Sequence, residues 1–132
     1  MDGLNPGRML VLHVEDDVSQ QSLVRIALER SGAYEVCSAG DGYRALALAR
    51  ERTPGMMILD LDLPGMDGVD TLRALRDLPQ LREIPAVLLT AAGPGRMDDE
   101  LRALGVRDVL GKPFSPRVLV QTLRRVLGVS SR

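Results

Sequence analysis

Five short apolar runs, each followed by a stretch with helical spacing, constrain this chain more than any other feature. The runs are Met9 to Val14, Tyr34 to Ser38, Met56 to Asp60, Pro85 to Thr90 and Arg107 to Leu110. They are mostly apolar rather than strictly alternating, the pattern of strands covered on both faces. Apolar residues then recur at helical spacing: Leu23, Ile26 and Ala27; Ala45, Leu48 and Ala49; Val69, Leu72 and Leu75; Met97, Leu101 and Leu104; Leu119, Leu123 and Val126. Asp16 or Asp17 can cap the first of these helices and Asp67 the third, while Ser31-Gly32, Gly105 and Gly128 supply stops. Parallel strands need crossover connections, so five βα units predict one doubly wound α/β domain: a parallel sheet with helices on both faces.

The rest of the composition fits such a domain and excludes several functions. The length of 132 residues suits a single core. Tyr34, Tyr43 and Phe114 are the only aromatic residues, so the core must be Leu, Val, Ile, Ala and Met. Seventeen basic against 18 acidic residues give a net charge of -1, without the basic excess that nucleic acid or anionic membrane would attract. The single cysteine, Cys37, cannot close an internal disulfide and reads as a small buried apolar residue of the second strand. No apolar run reaches the roughly 18 residues of a membrane span. The first residues lack the apolar centre of a signal peptide, so a cytoplasmic location is expected.

In open parallel sheets, ligands bind beyond the carboxyl ends of the strands. The chemically able residues of this chain fall there. Glu15-Asp16-Asp17 follows the first strand, Asp60 ends the third, Thr90 ends the fourth, and Lys112 lies just past the fifth. Clustered carboxylates repel one another and need cations. Lys112 supplies one charge; the remainder invites Mg²⁺, which favours oxygen ligands and often pairs a carboxylate or two with a phosphate. A carboxylate can accept a phosphoryl group as an acyl phosphate. Mg²⁺ and Lys112 would neutralise the transferring oxygens, and Thr90 could hydrogen-bond one of them.

Taken singly, each residue has a plainer role: an Asp as helix cap, a Lys in solvent, a Thr in structure. Their coincidence at successive strand ends favours a site. Asp67 is best read as a cap, and the Asp62 side chain is expected to face solvent. His13, inside the first strand, is expected to be partly buried and hydrogen-bonded.

These residues resemble a known family, the receiver domains of two-component response regulators. Val11 to Asp17 (VLHVEDD), Met56 to Gly68 (MMILDLDLPGMDG), Val87 to Ala91 (VLLTA) and Gly111 to Phe114 (GKPF) are similar to its four signature segments, in the family's order. The resemblance covers about residues 8–128, so short tails at 1–7 and 129–132 and no effector domain are expected. It implies a flavodoxin-like (βα)5 fold with sheet order 2-1-3-4-5 and a cis bond before Pro113. It also implies that Asp60 accepts the phosphoryl group, with Thr90 and Lys112 assisting. Glu15 and Asp16 match the acidic pair. Mg²⁺ would be held by Asp16, Asp60 and the backbone carbonyl of Asp62, with Glu15 acting mainly through metal-bound water.

The implied role is a stand-alone signalling switch rather than an enzyme. Its phosphodonor would be a sensor histidine kinase or a histidine phosphotransfer protein. Output would pass through protein contacts of about residues Met97 to Val126, to a downstream target or to a second copy through the fourth helix, fifth strand and fifth helix. Direct contact with nucleic acid or membrane is not expected.

The sequence departs from the family at two points. Val109 stands where Tyr or Phe is common, so the usual aromatic rotation has no counterpart. Ala92 stands where a bulkier polar residue is frequent, which would admit water to the acyl phosphate and shorten its life.

Two other readings compete. Asp60-Leu61-Asp62 resembles the DxD of haloacid-dehalogenase-type phosphatases, but two βα units precede it and Glu15-Asp16 would then have no role. Val109 also keeps open a degenerate receiver that acts as an unphosphorylated interaction module.

Overall fold

The computed structural model describes residues 7–63, 65–91 and 97–128. Its strands are β1 (Met9–Val14), β2 (Tyr34–Ala39), β3 (Met56–Asp60), β4 (Ala86–Thr90) and β5 (Val106–Gly111). They pair in parallel in the order β2-β1-β3-β4-β5, the doubly wound order expected. The helices are α1 (Val18–Arg30), α2 (Gly42–Glu51), α3 (Gly68–Arg76), α4 (Asp99–Ala103) and α5 (Pro116–Val126). A 3-10 turn at Pro79–Leu81, not foreseen from the sequence, precedes β4.

Each α-helix starts at a residue whose side chain accepts a backbone N–H of the first turn: Asp17, Asp41, Asp67, Asp98 and Ser115. Such caps satisfy donors that a helix start leaves unpaired. They also fix where each helix leaves the sheet's carboxyl edge.

Strand alternation splits the core in two. Leu12, Val14, Leu59 and Leu88 face α2, α3 and α4, packing with Ala45, Leu72, Leu75 and Leu101. Val11, Ile58, Val87 and Leu89 face α1 and α5, packing with Val24, Leu28, Leu119 and Leu123. Every residue of β3 and β4 is buried, which explains their unbroken apolar runs.

Two expectations about burial change. The α1 stripe facing the core is Val24 and Leu28, both fully buried, whereas Leu23 and Ile26 are 37% and 57% exposed. Two apolar stripes overlap on this helix, and docking against β2 and α5 selects the one that the i, i+3, i+4 reading did not. Cys37 is half-buried rather than buried, and burial raises its thiol pKa, in keeping with an unreactive side chain.

Arg76 ties the lower part of this layer together. Its guanidinium donates to the carbonyls of Leu81 at 2.6 Å, Leu104 at 2.8 Å and Ile84. It lies so close to Gly105, at φ +79°, that a Cβ there would come within 2.6 Å of it. No helix among the described residues is long and apolar enough to cross a membrane.

Candidate functional site

The sheet brings its chemistry-bearing residues together at one edge. Glu15 follows β1, Asp60 ends β3, Thr90 ends β4 and Lys112 follows β5. Asp60 pairs in register with Leu89, and Thr90 with Gly111, so the four elements end almost level. The Lys112 N–H donates to the Thr90 carbonyl at 2.9 Å, carrying the β4–β5 pairing one step beyond the strand. The Lys112–Pro113 bond is cis.

Lys112 Nζ donates to Asp60 Oδ2 at 2.8 Å and to Glu15 Oε1 at 3.3 Å. The two carboxylates are almost fully buried, while the Lys112 side chain keeps 21% exposure. Carboxylate oxygens of Glu15, Asp16 and Asp60 all lie within 4.8 Å of one another. Asp16 is exposed at the mouth. This all-oxygen, trianionic set suits a hard divalent cation such as Mg²⁺, which Lys112 alone cannot replace in charge.

The remaining contacts aim these groups. The Asp62 N–H donates to Asp60 Oδ1 at 2.9 Å, and the Asp17 N–H to Glu15 Oε2 at 3.1 Å. The Gln21 side-chain amide donates to the Glu15 carbonyl at 2.6 Å. Beneath the site, a Cβ on Gly68 would lie 2.5 Å from the Asp60 carbonyl oxygen, so α3 can start there only with glycine.

Charge states follow from burial and neighbours. Burial raises the Glu15 pKa, and the Asp60 charge adds to this; the Asp17 N–H and Lys112 oppose it. Burial alone would lower the Lys112 pKa, but its hydrogen bond to Asp60 and the charges of Asp60 and Glu15 raise it overall. The ammonium is therefore firmly held.

Of the residues expected from sequence, Glu15, Asp16, Asp60 and Lys112 meet directly, and Thr90 lies buried at the adjoining strand end. Ala92 lies outside the described residues. Val109 is buried in the core on the α2–α3–α4 face. Asp67 caps α3, as expected.

Asp62 is exposed, but its carboxylate is not simply in solvent: Oδ2 accepts the Ala91 N–H at 3.2 Å. The expectation for His13 is overturned. It is fully buried, and neither ring nitrogen meets a hydrogen-bond partner among the described residues. Its pKa falls to about 4, first through burial, then through Lys112, with Asp60 opposing and Arg25 adding a little. Sequence could not reveal the contacts of Asp62 or Gln21, because each depends on where a loop or helix start returns to the edge.

Comparison with known proteins fits this arrangement. A family model for the response regulator receiver domain matches residues 11–124. The chain is 33% identical over 118 residues to the polar-differentiation response regulator DivK of Brucella anthropi, across 89% of this chain and 95% of that one. Among solved structures, the chemotaxis protein CheY4 of Vibrio cholerae superposes with a TM-score of 0.84 at 35% identity, over 90% of this chain and 98% of that one. The receiver domain of a sensor histidine kinase from Pseudomonas aeruginosa, solved with a magnesium ion coordinated in its active site cleft, gives 0.77 at 28% identity, over 92% and 98%. By its motifs, its fold and these matches, the chain belongs to the response regulator receiver family of two-component signalling.

Proposed function

We propose that Asp60 accepts a phosphoryl group from the phosphohistidine of a sensor histidine kinase or a histidine phosphotransfer protein, and that the acyl phosphate switches a protein-binding surface. The observation that carries this reading is the Lys112 ammonium bonded to both Asp60 and Glu15 at the carboxyl edge of the sheet. In the transfer, an Asp60 oxygen attacks phosphorus and the P–N bond breaks. Its electron pair returns to the imidazole nitrogen, which takes up a proton. Lys112 balances charge on the phosphoryl oxygens, and the buried Thr90 hydroxyl, at the next strand end, would donate to one of them.

Asp16, Asp60 and the Asp62 carbonyl would hold Mg²⁺, with Glu15 behind a bound water. When bound, the ion supplies charge neutralisation and alignment of the phosphoryl oxygens. The bound magnesium of the structural relative from Pseudomonas aeruginosa supports this assignment.

The groove between α1 and α5 is the candidate docking surface for the phosphodonor. The exposed Leu23 and Ile26 of α1 and Pro116 and Val120 of α5 line a groove edged by Arg30 and Arg124. Both helices start at the site, after Asp17 and Ser115. A helix of the phosphodonor seated there would be brought near Asp60.

For output, the face formed by α4, β5 and α5 is the candidate, serving a downstream target or a second copy of the chain. With Val109 packed in the core, switching would act through Thr90, Lys112 and the backbone that joins them, without an aromatic rotor.

Incubation with Mg²⁺ and acetyl phosphate, followed by intact mass measurement, tests the reading. One Mg²⁺-dependent phosphoryl addition is expected, absent in Asp60→Asn. No addition, either from acetyl phosphate or from a phosphorylated kinase, would leave the unphosphorylated interaction module.

A further inference from the structure

Asp62 enters the site twice. Its backbone N–H holds Asp60 Oδ1, and its own carboxylate reaches across the mouth to the Ala91 N–H. Ala91 follows Thr90 directly at the end of β4. One residue thus bridges the reacting carboxylate and the strand that leads toward α4. The Ala91 N–H belongs to backbone fixed at the sheet edge. The Asp62 side chain is exposed and can rotate away at little cost, because water replaces what it loses.

A phosphoryl group on Asp60 would bring nearly two negative charges and three acceptor oxygens into this space. It would repel the Asp62 carboxylate and compete for the donor that carboxylate occupies. We propose that the Asp62 carboxylate is a latch displaced by phosphorylation: it holds the Ala91 N–H while Asp60 is bare and surrenders it to a phosphoryl oxygen, uncoupling the β3–α3 loop from β4. The proposal rests on Asp60 being the phosphoacceptor. It gives Asp62 a positioning and regulatory role beyond its backbone carbonyl. The negative charge favours the bare state and so sets how readily the phosphorylated form is populated, since an anion shifts such an equilibrium only through its different contacts in the two states.

Beryllofluoride, a stable phosphoryl mimic, can be titrated in the presence of Mg²⁺ into wild type, Asp62→Asn, Asp62→Ala and Asp60→Asn, while the Ala91 amide is followed by NMR and hydrogen exchange. Asp62→Asn keeps an oxygen that can accept the Ala91 N–H but loses the charge; Asp62→Ala loses both. Both should bind the mimic about fivefold more tightly than wild type, as expected for relief of one exposed charge, and the gap should narrow with added salt. In the bare protein, the Ala91 amide should exchange faster in Asp62→Ala than in wild type.

Wild-type binding with unchanged or weaker affinity in both Asp62 variants would overturn the latch and leave the phosphoacceptor reading intact. Faster Ala91 exchange without tighter mimic binding would reduce Asp62 to a loop cap and also overturn it. Failure of wild type to bind the mimic any better than Asp60→Asn would overturn the phosphoacceptor reading and the latch with it.

Discussion

The first strand and the residue that follows it carry two buried polar side chains in opposite circumstances. Just past the strand's end, Glu15 is 1% exposed and both its oxygens have partners, Lys112 Nζ and the Asp17 N–H. Two residues earlier, His13 is fully buried and no described protein group meets either of its nitrogens. Both weaken the fold, but in different currencies. Glu15 is a charge kept in place by another charge; His13 is a neutral ring kept neutral by desolvation. A strand end can return water, metal or a cation to a buried acid, whereas the strand interior, among the described residues, brings no hydrogen-bonding group to either imidazole nitrogen. Polarity at the edge therefore reads as chemistry, and polarity below it reads as a cost to stability.

Removing Lys112 should break the comparison most severely. Lys112→Met leaves Glu15 and Asp60 buried without their shared cation. Phosphoryl transfer to Asp60 should fall by about 100-fold or more, the usual loss when a charge-stabilising donor is removed. Thermal stability should fall in divalent-free buffer and recover in part with Mg²⁺. Stopped-flow labelling and calorimetric melts with and without Mg²⁺ would read both effects, and a variant that transfers normally would exclude Lys112 from the chemistry.

The next effect concerns His13 and acid. Its pKa in the fold, about 4, lies below the 6.5 of an exposed histidine. Below pH 6.5 the unfolded chain binds a proton that the folded chain refuses, so stability is lost progressively as pH falls toward 4. Over that window the loss is on the order of 3 kcal/mol. His13→Val removes it, and at neutral pH should also gain about 1–3 kcal/mol by removing an unpaired buried polar group. Denaturant melts of both proteins from pH 7 to 4.5 should diverge as the pH falls; parallel curves would mean that His13 finds a partner.

The smallest effect sharpens the contrast from the other side. Glu15 has a raised pKa in the fold, so its contribution is favourable in acid and is lost as pH rises through the folded value. At pH 7 without divalent cation, Glu15→Gln should stabilise by on the order of 1 kcal/mol, a typical size for a point substitution. Added Mg²⁺ should erase that advantage, because only the wild-type carboxylate gains from the ion. A gain unaffected by Mg²⁺ would remove Glu15 from the metal's surroundings.

Much of this was legible in one dimension. The strands announced themselves because both their faces are covered, and the site because Glu15, Asp60, Thr90 and Lys112 interrupt apolar runs at the same structural level. What stayed hidden depends on direction rather than on residue type. Leu23 and Val24 are both apolar, and only the docking of α1 decides which of them is buried. Asp62 is an exposed acid in any reading of the sequence, and only the return of β4 places an N–H within its reach. That no described group hydrogen-bonds the His13 nitrogens is decided by where distant elements place their side chains, which no local pattern reports.

The bonds of Lys112 span 97 residues to Glu15 and 52 to Asp60. Contacts this distant in sequence close only once β1, β3 and β5 stand in one sheet. A chain still emerging from the ribosome, or one that has lost its final strand, has the aspartate but no lysine beside it. On the proposed function, competence to receive a phosphoryl group would then be a late product of folding, and the molecule would carry its own check of assembly: a chain that has not yet brought Lys112 to Asp60 would be charged far more slowly.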